Sequence, residues 1–471
     1  MKRFLPILLL CSVLQVQAQS KTWNIRIHID GISDTTLMLA HHYGDVQYVI
    51  DTVPINAHGD AVFTGLDSLK GGIYLIVMPS MNNKYFECVI SGREPDISLS
   101  TDTSDFIGHM RIKGSKENEV FFADLNFLAA KRTEITALKT QLDAVGDTTE
   151  TGKKIREEME AVNKQVEEER LGIIRDNPGL FYSVFLRAIQ DVKAPEAPEG
   201  MSEEEARNYK YWYVRTHYFD NVNFMDERLL RTNMYDQRIK KYMRDYVPKI
   251  PDSVNVAVDE IIHRAEGNKL VFQYMVVSML NEYAKSKIMG YDAVYIHIVD
   301  TYYANGKAFW LDDMGLFKIL QQADKIRPNL IGKQAPLMIL QDSANNDIPL
   351  YSLQNTFTVI VFWDVDCSHC KKDIPKLENI YPQLKAMGAE VYAVYSQEEW
   401  DKWIQWQREH HDSWIIVGNK SGKSDFQWKY NVDQTPLFYI LDKDKKIIAK
   451  RLGVENILEF LENYEKLQNA E

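Results

Sequence analysis

Cysteine is scarce in this 471-residue chain: there are four, at positions 11, 88, 367 and 370. So few excludes a disulfide-stapled scaffold, which needs many paired cysteines. Positive charge is also wanting. A formal net charge of −12 argues against nucleic acid or an anionic membrane surface as partner. Beyond the N-terminus no apolar run is long enough to span a bilayer, and neither an internal repeat nor a low-complexity tract is present. Aromatic residues, by contrast, are plentiful: 25 Tyr and 9 Trp exclude a disordered acidic protein. A chain of this length exceeds one compact domain, so two or three are expected.

The first residues read as an export signal, predicted over residues 1–18. Lys2-Arg3 supplies the positive region and Phe4 to Leu14 the apolar one. Val16-Gln17-Ala18 offers acceptable residues for cleavage after Ala18. Cys11 is preceded by Leu10, where a bacterial lipobox needs a small residue, so a lipoprotein is disfavoured. The expected product is exported to the periplasm, soluble or peripherally membrane-associated, and keeps Cys88, Cys367 and Cys370. An exported protein with so few cysteines that still holds a C-x-x-C pair uses them for chemistry. Cys88, in the strand-like Tyr85 to Ile90, is expected to be a buried apolar side chain.

Residues 19–115 read as a β-rich domain, an antiparallel sandwich or barrel. Trp23 to Asp30 alternates at period two, and short apolar runs follow after turn signals. Residues 116–325 read as an all-helical domain. Phe121, Leu128, Ile135 and Leu142 recur at seven-residue spacing, and Ile155, Met159, Val162 and Val166 continue after the break at Gly146 to Thr149, as in a helical hairpin. The stripe Tyr209, Trp212, Tyr213 is expected to pack in a core. Residues 326–471 mix strands and helices in an α/β order, so the whole chain reads as multi-domain α+β.

Within that last region, Thr358 to Trp363 is an apolar strand, and Cys367-Ser368-His369-Cys370 separates it from a helix beginning near Lys371. Free N–H groups and the helix dipole favour a thiolate at such a position, and the spacing allows the second thiol to close a disulfide with the first. The pattern points to thiol–disulfide exchange. A zinc site is the competing reading, but His410-His411 is the only nearby donor pair, so no metal is expected. A purely structural disulfide would close too short a loop to stabilise much.

This C-terminal third resembles the thioredoxin superfamily, in particular the exported TlpA/ResA-like thiol–disulfide oxidoreductases. The likeness rests on Gly332-Lys333-Gln334-Ala335-Pro336 at the entry, Phe362-Trp363 before the C-x-x-C, an acid three residues after the second Cys, and Thr435-Pro436 before the strand Leu437 to Ile440. It implies a thioredoxin-like α/β/α domain without a bound cofactor. It assigns Cys367 as the attacking thiolate and Cys370 as the resolving thiol. Asp373 takes the place of a buried glutamate that handles the inner thiol's proton, and Thr435, Pro436 and Trp363 fall to substrate binding. Asp366 and His369 are expected to tune the pair in opposite senses, a carboxylate raising the thiol pKa and an imidazolium lowering it, with His369 the stronger.

The implied activity is reduction or exchange of protein disulfides, with electrons from an upstream membrane or periplasmic donor and a homodimer through the helical domain as a further expectation. A disulfide isomerase, an oxidant, or a non-catalytic binding protein on a thioredoxin scaffold are the alternatives. An AhpC-type peroxidase is disfavoured, because Val361 to Asp366 does not provide a Pro-x-x-x-Thr-x-x-Cys approach.

Overall fold

The computed structural model describes residues 23–33, 35–410 and 413–468. The export signal, Cys11 and His411 lie outside the described residues. The fold divides into two compact units between Tyr246 and Val247. That boundary falls inside the helical stretch, so its helices are shared between the two units.

The first unit opens with β1 (Trp23–Asp30), β2 (Thr35–Tyr43), β3 (Val46–Ile55), β4 (Asp60–Gly65), β5 (Gly72–Met78), β6 (Lys84–Ile90), β7 (Asp96–Asp102) and β8 (Arg111–Lys113). They form two four-stranded sheets, ordered β4-β1-β7-β8 and β3-β2-β5-β6. Alternation along β1 buries Ile25, Ile27 and Ile29 on one face, as the period-two pattern predicts. The expected wholly antiparallel arrangement is modified at one place, because β1 and β7 pair in parallel. The chain between them runs through the other sheet, which gives it the length a parallel return requires.

Helix α1 (Lys116–Val145) and α2 (Glu150–Asp176) form the hairpin that the heptad spacing predicts, with Leu138, Ile155 and Val162 at its core. Gly146 ends α1 at φ +81°, and the Thr149 side chain caps α2 by accepting from the Gly152 N–H. Three short helices follow: α3 (Phe181–Ile189), α4 (Glu203–His217) and α5 (Met234–Asp245). The Tyr209–Trp212–Tyr213 stripe lies on α4, which buries none of its residues, and Trp212 is 54% exposed. This corrects the expected core packing.

In the second unit α6 (Pro251–Arg264), α7 (Lys269–Ala284), α8 (Asp292–Ile298), a π-helical turn Val299–Tyr303 and α9 (Asp313–Ile326) precede an α/β domain. Its strands are β9 (Ile339–Gln341), β10 (Asp347–Pro349), β11 (Phe357–Trp363), β12 (Ala389–Tyr395), β13 (Ile415–Gly418), β14 (Leu437–Leu441) and β15 (Ile447–Lys450). They form one seven-stranded sheet ordered β10-β9-β13-β12-β11-β14-β15. The helices are α10 (Cys370–Ala386), α11 (Trp400–Glu409), α12 (Phe426–Lys429) and α13 (Ile457–Gln468).

Strand β11 is buried throughout, which explains its unbroken apolar run. Its alternate residues Val359, Val361 and Trp363 share a core with α10, α11 and α13, while Ile360 and Phe362 share another with α12. The result is a three-layer α/β/α domain with β11 at its centre. The carboxyl end of β11 delivers the chain to the cysteine pair.

Candidate redox site

The turn from Asp364 to His369 joins β11 to α10. The Lys371 N–H donates to the Cys367 carbonyl at 3.1 Å and the Asp373 N–H to the His369 carbonyl at 2.9 Å, so helical bonding begins at the first cysteine. His369 holds the N-cap position at φ −74°, and its side chain caps nothing. The N–H that opens the helix meets sulfur: the Cys370 N–H donates to Cys367 Sγ at 3.2 Å.

Both cysteines are free thiols, and their surroundings differ sharply. Cys367 is partly exposed. Burial pushes its thiol up, but hydrogen bonds from the Cys370 and Thr435 side chains and from the Cys370 and His369 N–H groups together bring it below the ordinary thiol value. Cys370 is 1% exposed, and burial, reinforced by its bond to Cys367, pushes its thiol up to about 12. At neutral pH the outer sulfur gains thiolate character while the inner one holds its proton.

The Thr435–Pro436 peptide bond is cis. The Thr435 carbonyl lies 3.2 Å from Cys367 Sγ and accepts its proton when the thiol is intact. Thus the structure brings Cys367, Cys370 and the Thr435–Pro436 loop together across a long stretch of sequence.

Four other expected residues sit differently. Asp373 Oδ1 pairs with Lys376 Nζ at 2.7 Å, and among the described residues it bonds neither sulfur. A lysine one turn on pairs with this partly buried carboxylate. Trp363 is 2% exposed and lies tilted against Trp406 at 4.4 Å between ring centroids, packed in the core with an edge on the cleft beside Cys370. Asp366 turns away to Lys402 Nζ at 2.6 Å, whose hydrogen bond holds its carboxyl below the usual range. That pairing neutralises the charge expected to oppose the thiolate. His369 has an exposed ring, and it reaches Cys367 through its backbone N–H, not through its imidazole.

One feature was not anticipated. A cleft of about 240 Å³ opens beside Cys370, lined by Trp363, Ile374, Pro375, Trp406 and His410 among others. His410 stacks on Trp406 at 4.2 Å and forms an aromatic wall of the cleft. The signal for this wall was the Trp400, Trp403, Trp406 spacing on α11, which puts three indoles on neighbouring turns.

Comparison with known proteins places these residues in context. Residues 331–450 match the AhpC/TSA family; residues 23–121 and 147–329 match two domains of unknown function, DUF4369 and DUF5106. The chain is 28% identical over 134 residues to the thiol–disulfide oxidoreductase ResA of Bacillus cereus, covering 28% of this chain and 76% of that protein. Among solved structures, a thioredoxin-like protein from Bacteroides caccae is 22% identical with TM-score 0.46, covering 58% of this chain and 98% of that one. A domain of a possible thiol-disulfide isomerase from Cytophaga hutchinsonii is 34% identical with TM-score 0.28, covering 30% of this chain and 97% of that one. Through this C-terminal region the chain belongs to the thioredoxin superfamily, as a TlpA/ResA-like oxidoreductase preceded by additional β-rich and helical regions.

Proposed function

We propose that the protein reduces protein disulfides by dithiol exchange, with Cys367 as nucleophile and Cys370 as resolving thiol. The observation that carries this reading is the inequality of the two sulfurs: one partly exposed with its pKa lowered, the other buried with its pKa raised. The Cys367 thiolate attacks one sulfur of a substrate disulfide, forming a mixed disulfide and releasing a substrate thiolate that takes a proton from solvent. Cys370 then gives up its proton, attacks Cys367 Sγ and expels the second substrate thiol. Two electrons and two protons pass to the substrate, and the protein is left with a Cys367–Cys370 disulfide.

Restoring the dithiol requires an external dithiol donor, which we assign to a membrane or periplasmic partner. The basic, apolar and cleavage-site pattern at the N-terminus supports export to that compartment. The test is reduction of insulin disulfides with a dithiol as electron source. Catalysis is expected from the native protein and not from Cys367→Ser. Cys370→Ser should accumulate mixed disulfides with substrate; trapping by Cys367→Ser instead would reverse the assignment.

A further inference from the structure

A cavity of about 200 Å³ adjoins the segment that leads into Thr435–Pro436, against about 30 Å³ for one water. Part of its wall is Asn431, Asp433 and Arg451, from that segment and the end of β15. The rest includes the turn between α7 and α8, Lys287 to Gly290, which belongs to the helical region. A buried lysine fastens the two together. Lys450 is 4% exposed, bonds Asp292 at the start of α8, and donates to Asn329 O at 2.8 Å and Asn329 Oδ1 at 2.9 Å.

The turn presents apolar surface here. Ile288 is 51% and Met289 40% exposed. The Ile288 N–H donates to Ser286 Oγ at 3.2 Å, and its carbonyl accepts from the Tyr291 N–H at 3.2 Å. Gly290, at φ +89°, completes the turn. The backbone is therefore held while the two side chains face solvent. Charge at the cavity is also uneven. Asp292 is matched by Lys450, and Arg451 Nη2 contacts both carboxylate oxygens of Asp433 at 3.0 Å. Lys287 is exposed and pairs with no carboxylate among the described residues, so the lining keeps one uncompensated positive charge.

We propose that the α7–α8 turn is a substrate-selecting subsite of the redox site. Ile288 and Met289 receive an aliphatic side chain of the substrate polypeptide, and Lys287 attracts an acidic residue beside it. The occupant follows from continuity with the reacting sulfur. The Thr435 carbonyl lies 3.2 Å from Cys367 Sγ, and Asp433 is two residues away, roughly 7 Å of extended chain. Gln434 and Asp433 are exposed along that path. A polypeptide that brings its disulfide to Cys367 and runs along this loop meets the turn two to four residues from its cysteine. The inference rests on the dithiol reading for its substrate, but docking is measurable without turnover.

The probes are two fluorescently labelled nonapeptides with serine at the centre in place of cysteine. One carries Leu and Glu at the positions two to four residues to either side; the other carries only Ser there. Fluorescence anisotropy should show the native protein binding the Leu/Glu peptide about tenfold more tightly. The double substitution Ile288→Ser, Met289→Ser should erase that preference. Lys287→Gln should reduce it about threefold, and less in high salt. Both changes lie on exposed side chains, and unchanged thermal unfolding checks that the fold is kept. Equal binding of the two peptides, a preference that survives the double substitution, or a Lys287→Gln effect equal on both peptides would overturn the proposal. If the preference holds but the native protein reduces neither peptide as its cysteine-linked disulfide dimer, the dithiol reading alone fails.

Discussion

Helices α1 and α10 each begin soon after a strand and bury part of the first turn, Glu117 and Asn118 in one and Cys370 in the other, yet one start is inert and the other reactive. At α1 the Ser115 side chain accepts from the Asn118 N–H at 3.2 Å, and Ser115 donates to Glu94 at 2.8 Å. The buried Asn118 further clamps the Val89 N–H and carbonyl of β6 at 2.8 and 2.7 Å, and Glu117 accepts from the Phe181 and Tyr182 N–H groups. The side chains of Ser115, Glu117 and Asn118 each meet another oxygen or nitrogen. At α10 no side chain caps the helix, and a cysteine sulfur receives the N–H. The same physical demand, satisfying the orphan donors of a first turn, locks one unit together and acidifies a thiol in the other. Cys88 shows what happens without those donors: fully buried in β6, its thiol is pushed up to about 12.

The contrast breaks most completely at the nucleophile. Cys367→Ser should lower disulfide reductase activity by more than about 10³-fold while leaving thermal unfolding nearly unchanged. Alkylation of the folded, reduced protein should label Cys367 first and Cys88 only after denaturation, as mass spectrometry would show.

At α1 the expected effect is on stability. Asn118→Ala strands the backbone groups of Val89 and should destabilise the protein by about 1–3 kcal/mol in a denaturant titration, with no change in the Cys367 pKa. Loss of redox chemistry without loss of stability would contradict the role given to this residue.

His369 sharpens the comparison, because its contribution is assigned to the N–H and not to the ring. His369→Pro removes that donor at a backbone angle proline accepts, and should raise the Cys367 pKa by about one unit, or about 1.4 kcal/mol. The reduction potential should fall by about 30 mV for each such unit. His369→Ala keeps the N–H and should shift both quantities less. Thiolate absorbance against pH and a glutathione redox titration measure the two, and an equal effect of Ala and Pro would return the role to the imidazole.

Asp373 should matter least. With its carboxylate tied to Lys376, Asp373→Asn is expected to leave insulin reduction within about twofold of the native rate. A tenfold loss would restore it as the base serving Cys370.

Much of this architecture can be read along the chain. Leu437–Leu441 and Trp23–Asp30 coincide with strands because apolar runs and alternation report burial directly. The helical hairpin follows from its seven-residue spacing. Harder to see were α8 and the adjoining π turn: they lie in a stretch rich in tyrosines and are buried on several sides, so no single periodic face stands out. The parallel β1–β7 pair was invisible because pairing direction depends on the route of the intervening chain. The exposed α4 stripe misled because aromatic spacing describes a helix face but not what covers it.

The site divides in the same way. A strand, two cysteines at helical-turn spacing and a helix are local facts, and from them the sequence alone marked the candidate redox site. The acidity of that sulfur is not local. It depends in part on Thr435, 68 residues away, while Lys402 binds Asp366 and Lys376 binds Asp373. Only the tertiary structure decided these, because Coulomb and hydrogen-bond energies fall off with distance in space, and sequence separation does not measure that distance.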